Sequence, residues 1–269
     1  MEPAIIALIC AGAAAATVAL AAAFVLFSNN CITVSRYNLS HAAVREQGVK
    51  IVHISDVHGK RFGKGNRRLI KKAAAEQPDF IAVTGDIIHK YRPRDIEVAE
   101  ELVQGLCKIA PVFYVSGNHE MRSVKYRDLR AKLIAAGATV LDDDCVQTCG
   151  VSLAGVNCAH VKSDKFFNLA EGREGVKILL AHLPQYIDRY ALAGYDFALC
   201  GHAHGGQWRI PFTKVGVYAP GQGLFPKYTS HVHSCGDMRQ VISRGLGNSQ
   251  CPLRLFNRPE VVVISLKKE

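Results

Sequence analysis

The stretch Ile51-Val52-His53-Ile54-Ser55-Asp56-Val57-His58-Gly59 decides how the chain is read. An apolar run of strand length stops at a carboxylate and an imidazole two residues apart, and a glycine follows. At a strand end, both side chains can turn toward one ion. The same arrangement recurs downstream. Phe80–Thr84 runs into Gly85-Asp86, Val112–Ser116 into Gly117-Asn118-His119-Glu120, Val176–Ala181 into His182, and Phe197–Cys200 into Gly201-His202-Ala203-His204-Gly205. Ligand sites of α/β sheets lie at the carboxyl ends of strands, where all five clusters fall. Each cluster alone is commonplace, since an Asp after a strand is usually a turn or cap residue and a lone histidine is usually structural. Five of them in order would require five independent accidents.

Working outward, Val151–Ala154, Val215–Tyr218 and Val261–Leu266 are also strand-like, and Asn66–Glu76, Asp95–Lys108, Lys125–Ala136 and Pro184–Ala193 carry helical patterns. Strands alternating with helices predict an α/β domain. It is placed at residues 49–269, after a polar linker at 29–48 that contains one short apolar stretch. No internal repeat or low-complexity stretch interrupts it.

An apolar fraction of 49% and a charged fraction of 21% describe a folding chain and exclude a disordered one. The net charge is +10, and Glu2 is the only charge in residues 1–30, which leaves +11 on the rest. Such a surface favours anionic partners, whether nucleic acid, acidic headgroups or phosphorylated substrates. The nine cysteines are scattered without a Cys-x-x-Cys pair, which removes a zinc ribbon or a thioredoxin-type site and suits a reducing compartment.

Residues 1–28 form a candidate transmembrane anchor. Ala4 to Phe27 carries no charge and would span ~36 Å as a helix, against about 30 Å for a bilayer core. A soluble helix would show a polar face. A cleaved signal peptide would show a basic start and a small-residue cleavage site, whereas this segment starts Met-Glu-Pro and ends Phe-Val-Leu-Phe-Ser-Asn-Asn.

The five clusters, Asp-x-His, Gly-Asp, Gly-Asn-His-Glu, His and Gly-His-x-His, resemble the calcineurin-like metallophosphoesterase superfamily from Asp56 to His204. The resemblance implies two β-sheets packed as a sandwich and flanked by helices, with a dinuclear metal site at one end. It implies that Asp56, His58, Asp86 and His204 hold one ion and that Asp86, Asn118, His182 and His202 hold the other, with Asp86 bridging. Carboxylates and imidazoles suit borderline divalent ions, manganese as first choice, with iron, zinc or cobalt as alternatives. His119 matches the position that faces the substrate and is assigned leaving-group protonation or charge stabilisation. Glu120 is either a partner that orients such groups or a helix-start carboxylate. Gly205-Gly206-Gln207, Gly221–Tyr228 and Ser243–Gly247 are similar to a membrane-associated branch that includes a UDP-2,3-diacylglucosamine diphosphatase.

Other residues read more plainly. His231 and His233 form a second His-x-His in a stretch of loop composition, so a surface loop is expected. His53 is expected in the core, and His41, His89 and His160 are expected to be structural. The basic stretch from Arg61 to Lys72 reads for the most part as a solvated helix face; the alternative is contact with anionic lipid or a substrate phosphate, which Phe62 and the nearness of Asp56 and His58 favour for a part that borders the site. Trp208 and Phe225 are open between substrate pocket and core.

These readings predict hydrolysis of a phosphodiester or pyrophosphate bond in a lipid-linked or nucleotide-linked lipid substrate at the membrane. A small-molecule phosphodiesterase tethered only for localisation is the alternative, and a metal-holding scaffold is disfavoured because every ligand type and His119 are present. Nucleic acid is not expected as a partner, because basic and aromatic residues do not interleave. Arg36, Arg45 and Lys50 follow the apolar run, which places the catalytic domain on the cytoplasmic side.

Overall fold

A computed structural model describes residues 2–90, 92, 94–248 and 251–269. Helix α1, Pro3–Asn30, leads into β1 (Thr33–Ser40) and β2 (Val49–Ile54). Then come α2 (Arg67–Ala75), β3 (Phe80–Thr84), α3 (Asp95–Cys107), β4 (Val112–Val115), α4 (Asn118–Met121) and α5 (Tyr126–Ala135). The middle of the chain gives β5 (Thr139–Val140), β6 (Asp144–Thr148), β7 (Val151–Gly155), β8 (Val176–Leu180), α6 (Ile187–Leu192) and β9 (Phe197–Cys200). The last strands are β10 (Tyr218–Ala219), β11 (Gly223–Leu224), β12 (His231–Cys235), β13 (Met238–Ile242) and β14 (Glu260–Lys267).

Two six-stranded sheets result, in the orders β1-β14-β2-β3-β4-β5 and β12-β13-β9-β8-β7-β6. Strands β2 to β5 run parallel, as do β7, β8, β9 and β13, so the tips that carry the five clusters end together. Both faces of the central strands are covered, which is why they read as unbroken apolar runs. Period-two alternation then divides each strand between two layers. Val52, Ile54, Ile81, Val83, Val261 and Val263 pack under α2, α3 and α5, whereas Ile51, Phe80, Ala82, Val262 and Ile264 face the opposite sheet. The second sheet meets them with Leu153, Ile178, Phe197 and Val241, and its outer face packs against Ile187 and Tyr190 of α6.

The expected sandwich with flanking helices and one N-terminal apolar helix is therefore present. Three local expectations are corrected. The segment 29–48 is not simply a linker, because Thr33–Ser40 forms an edge strand whose residues pair in parallel register from Thr33↔Glu260 to Ser40↔Lys267. Its side chains are half-buried on both faces, Val34 toward one core and Tyr37 and Leu39 toward the other, so the sequence shows no clear alternation. His231 and His233 lie on β12, an edge strand paired with β13, and not in a loop. Val215–Tyr218 is not one strand but part of an irregular excursion with isolated bridges at Arg209↔Gly216 and Trp208↔Leu255 and the two-residue ladder β10–β11. His53, as expected, is fully buried, with Nε2 2.7 Å from Thr84 Oγ1.

Helix α1 is long and apolar enough to cross a membrane, and its most apolar stretch is not buried in the domain. Its last two turns touch the domain, where Ser28 and Asn29 are buried and Phe24 lies beside Phe256.

The placement of β1 gives a test. Removing residues 1–28 should leave the domain's thermal midpoint nearly unchanged, because β1 and Asn29 remain. Removing residues 1–41 uncovers the apolar edge of β14 and should lower the midpoint by several degrees, at about 2–4 °C per kcal/mol for a domain of this size. Equal midpoints in calorimetry would show that β1 is dispensable.

Candidate metal centre

Backbone conformation is the first requirement at the strand tips. Asp56, His58, Asp86, His202 and His204 all have positive φ, between 47° and 67°. Non-glycine residues pay for this left-handed geometry, and it persists where surrounding structure over-determines it, commonly at functional sites. At these tips the left-handed residues end the strand geometry, and their side chains meet in one cluster. Two glycines make the approach possible. A Cβ on Gly85 (φ 79°) would stand 2.5 Å from the Gly117 nitrogen, and one on Gly201 would stand 1.8 Å from Ser55 Oγ.

The seven residues implied by the resemblance, together with His119, come together. The ligand atoms of Asp56, His58 and His204 lie within 4.8 Å of one another, as do those of Asp86, His182 and His202, and those of His58, Asp86 and His119. Asp86 stands between the first two groups, with Oδ2 3.2 Å from His182 Nε2 and 3.8 Å from His58 Nε2. Asn118 Oδ1 is 3.2 Å from His182 Nε2. The ring nitrogens face each other closely, His58 Nε2 to His204 Nε2 at 3.1 Å and His182 Nε2 to His202 Nδ1 at 3.2 Å.

These separations fit divalent ions. Two nitrogen ligands about 2.0–2.1 Å from one ion stand roughly 3 Å apart. The donor chemistry fits as well. His182 Nδ1 is 2.8 Å from the Thr84 carbonyl, so Nδ1 carries the proton and donates it there. A neutral His182 therefore turns an Nε2 lone pair toward two further acceptors, Asp86 Oδ2 and Asn118 Oδ1. With Nε2 unprotonated these acceptors converge with no donor between them, so the cluster calls for a cation, either a second proton on His182 or a metal ion.

The titration behaviour says the same. Burial pushes the His58 and His202 imidazoles down to about 3 and His204 further, which leaves neutral rings with lone pairs to give. Burial also works against a charged His182, but Asp86 and Asp56 prevail and push it up to about 10. Burial raises Asp56 to about 6. Asp86 feels the same burial, yet the His182 charge holds it well below the usual carboxylate range. The proton on His182 supplies the positive charge that a metal would bring.

His119 is held differently. Its Nδ1 accepts from the Lys90 backbone N–H at 3.3 Å, so a neutral ring carries its proton on Nε2, which lies 3.9 Å from Asp86 Oδ2 and faces the pocket. Glu120 serves both of the roles considered for it. It is fully buried, caps the start of α4, and accepts from the backbone N–H groups of Asp86 (2.7 Å), Gly117 (2.8 Å) and Ile88 (3.1 Å). It thereby ties the β3 tip to the β4 tip. Burial first, then the neighbouring Asp86, pushes its carboxyl up to about 8.

A cavity of about 430 Å³ opens above this cluster. Its floor holds Asp86, Asn118, His119, His202 and His204, and its rim holds His89, Lys90, Arg122 and Lys162. Arg122 and Lys162 are exposed. These rim residues escaped sequence reading, His89 having been expected as structural; its ring lies 4.8 Å from that of His119. Spacing offers no signal for them, since they arrive from separate loops. The Arg61–Lys72 stretch does not line this cavity: Arg61 pairs with Glu101, and Phe62 is fully buried in the core. Trp208 and Phe225, 41% and 65% exposed, belong neither to the cavity nor to the core. Arg254, which no motif marked, is fully buried, with Nη2 3.4 Å from His204 Nδ1 and guanidinium bonds to the carbonyls of Gly247 and Arg244.

Parallel strand tips that converge on buried carboxylates and imidazoles beneath a basic rim define a metal-dependent phosphoesterase. The chain belongs to the calcineurin-like phosphoesterase family, whose pattern matches residues 49–206. It is similar to the metallophosphoesterase YkoQ of Bacillus subtilis, at 27% identity over 79% of this chain and 82% of that one. It is also similar to the phosphodiesterase YaeI of Escherichia coli, at 29% identity over 81% and 82%. Among solved structures, a dimetal phosphatase of Danio rerio shares the fold at a TM-score of 0.51 and 12% identity, over 82% of this chain and 93% of that one.

Glu120→Ala would leave three buried backbone N–H groups without an acceptor, at a cost of about 1–3 kcal/mol for each group not rescued by water. Denaturant unfolding should show a loss of that order, together with weakened metal retention. A variant as stable as the parent would mean that the two tips are held by something else.

Proposed function

We propose that the chain hydrolyses a phosphodiester or pyrophosphate bond with two divalent ions, and that the substrate is a lipid-linked or nucleotide-linked lipid at the membrane. The observation that carries the two-ion reading is the position of Asp86 between two groups of converging acceptors, with its Oδ2 facing both His58 and His182. When bound, two such ions supply Lewis acidity toward a phosphoryl group and lower the pKa of the attacking water. We assign one to Asp56, His58, Asp86 and His204, and the other to Asp86, Asn118, His182 and His202. Manganese is our first choice, followed by iron, zinc or cobalt.

The protein's own groups then bind and orient. Lys90, Arg122 and Lys162 place positive charge around the mouth, which suits a diester or a second phosphate. His119, with Nε2–H turned into the cavity, donates to the departing oxygen. The lipid part of the proposal is supported by α1 and by the contact of its end with the domain. YaeI is a phosphodiesterase by name, which supports the bond type.

Chelation should abolish activity, and manganese or one of the alternatives should restore it. His119→Ala should keep its metal, measured by elemental analysis, while losing roughly 10²–10⁴-fold in rate on a diester with a poor leaving group. The loss should be smaller with a nitrophenolate leaving group. Full activity after verified metal removal would sink the mechanism.

The reconstituted full chain should cleave phosphorylated lipids in vesicles faster than small chromogenic diesters. The opposite preference would favour a tethered small-molecule phosphodiesterase. The basic residues after α1 support a cytoplasmic domain. In intact cells an impermeant thiol reagent should then leave Cys235 and Cys251, both partly exposed, unlabelled until lysis.

A further inference from the structure

Exposed large apolar side chains are unevenly placed. Outside α1, and among the described residues, only Val124, Ile134 and Leu192 are exposed elsewhere on the domain, one at a time. All the others fall in two segments that follow the metal-site loop, residues 207–226 and 251–256. They include Trp208, Ile210, Phe212, Leu224, Phe225 and Phe256, with Phe212 at 107% and Leu224 at 70% exposure. Isolated exposed apolar residues need no explanation, but a contiguous set does.

The two segments form one body. Trp208 bridges to Leu255 and its Nε1 donates to the Leu253 carbonyl, while the Phe225 N–H donates to Val217, whose own N–H donates to Trp208. That body abuts the apolar helix. The Phe24 and Phe256 rings lie 5.0 Å apart, the Arg258 guanidinium stands 4.7 Å from the Phe27 ring, and a cavity of about 480 Å³ is shared by Phe24, Phe27, Ile210 and Phe212. The charge is one-sided. Lys214 and Lys227 are exposed, and no acidic residue occurs from Gln207 to Tyr228 or from Cys251 to Arg258.

The same end of the domain carries the metal centre. Lys60, two residues beyond His58, donates from Nζ to the Asn29 carbonyl at the end of α1. The Arg254 N–H donates to Asn29 Oδ1 at 3.1 Å, and the Arg254 guanidinium reaches His204. On the far side of the excursion, Gly221 lies beside His202.

We propose that the 207–226 and 251–256 loops form a second membrane contact. Their aromatic and aliphatic side chains would seat in the interfacial layer of the bilayer that α1 crosses, with Lys214 and Lys227 meeting anionic headgroups. The domain is thereby held with its metal centre close to the membrane surface, so that a phosphorylated headgroup reaches His119 without leaving the bilayer. This rests on α1 being a membrane span.

The protein contains a single tryptophan, Trp208, which serves as the probe. The full chain is reconstituted in phosphatidylcholine–phosphatidylglycerol vesicles, with and without acyl chains brominated near the headgroup. Brominated lipid should quench Trp208 emission several-fold. In Phe212→Ser/Phe225→Ser, which changes two exposed side chains outside the core, most of that quenching should disappear, while flotation with vesicles and metal content remain those of the parent. If the parent floats but Trp208 is not quenched, the second contact is wrong and the anchor stands. If the double variant is quenched as strongly as the parent, Phe212 and Phe225 are not the contact. If the parent does not float, the anchor reading falls and this proposal falls with it.

Discussion

Asp86 sets a carboxylate where only 1% of the residue is exposed, with Oδ1 held by the His119 backbone N–H at 2.8 Å and Oδ2 turned toward His58, His119 and His182. A buried charge is tolerable only when it is paired and hydrogen-bonded. Much of the architecture around it meets that condition. Parallel strands β2, β3 and β4 bring three tips side by side, left-handed backbones at the tips turn the side chains inward, and His182 and His202 arrive from the opposite sheet to face the carboxylate. The sandwich therefore supplies its two sheet ends as two walls of one site.

The same constraint explains the parts that carry no chemistry. Glu120 gathers three backbone N–H groups so that the tips of β3 and β4 keep a fixed spacing. Glu260, 1% exposed, pairs with Arg244 at 2.9 Å and also binds Ser35 of the edge strand β1, which anchors the first strand to the last. Arg254 stays charged although burial pushes it down to about 10, because Asp56 opposes the loss. It joins the loop at Arg244–Asn248 and the end of α1 to the neighbourhood of His204. The end of the apolar helix and the metal-site loops are thus joined through a few buried polar contacts.

Most of the centre was legible from one line of residues, because each motif is local: an apolar strand, a turn, and a ligand type placed by the strand end. The periodicity of β2, β3, β4, β8, β9 and β14 was equally local. The edge strands were harder. Thr33–Ser40 and His231–Cys235 are half-solvated, so their composition matches that of a loop, and the partner of Thr33 lies at Glu260, beyond the reach of any window. The rim of the cavity was illegible for a related reason. His89, Lys90, Arg122 and Lys162 are ordinary basic residues until separate loops converge.

By itself, then, the sequence determined the α/β class, the order of the five clusters, the apolar N-terminal helix and the types of atom offered to metal, since all of these follow from residue identity and short-range spacing. Only the tertiary structure decided which atoms face one another, that Asp86 lies between two groups of acceptors, that His119 keeps its proton on Nε2, and that the end of α1 lies against the metal-site loops. Those facts depend on contacts between residues far apart in the chain, as between Asn29 and Arg254, 225 positions apart, and a linear pattern holds no record of which distant surfaces will share a buried charge.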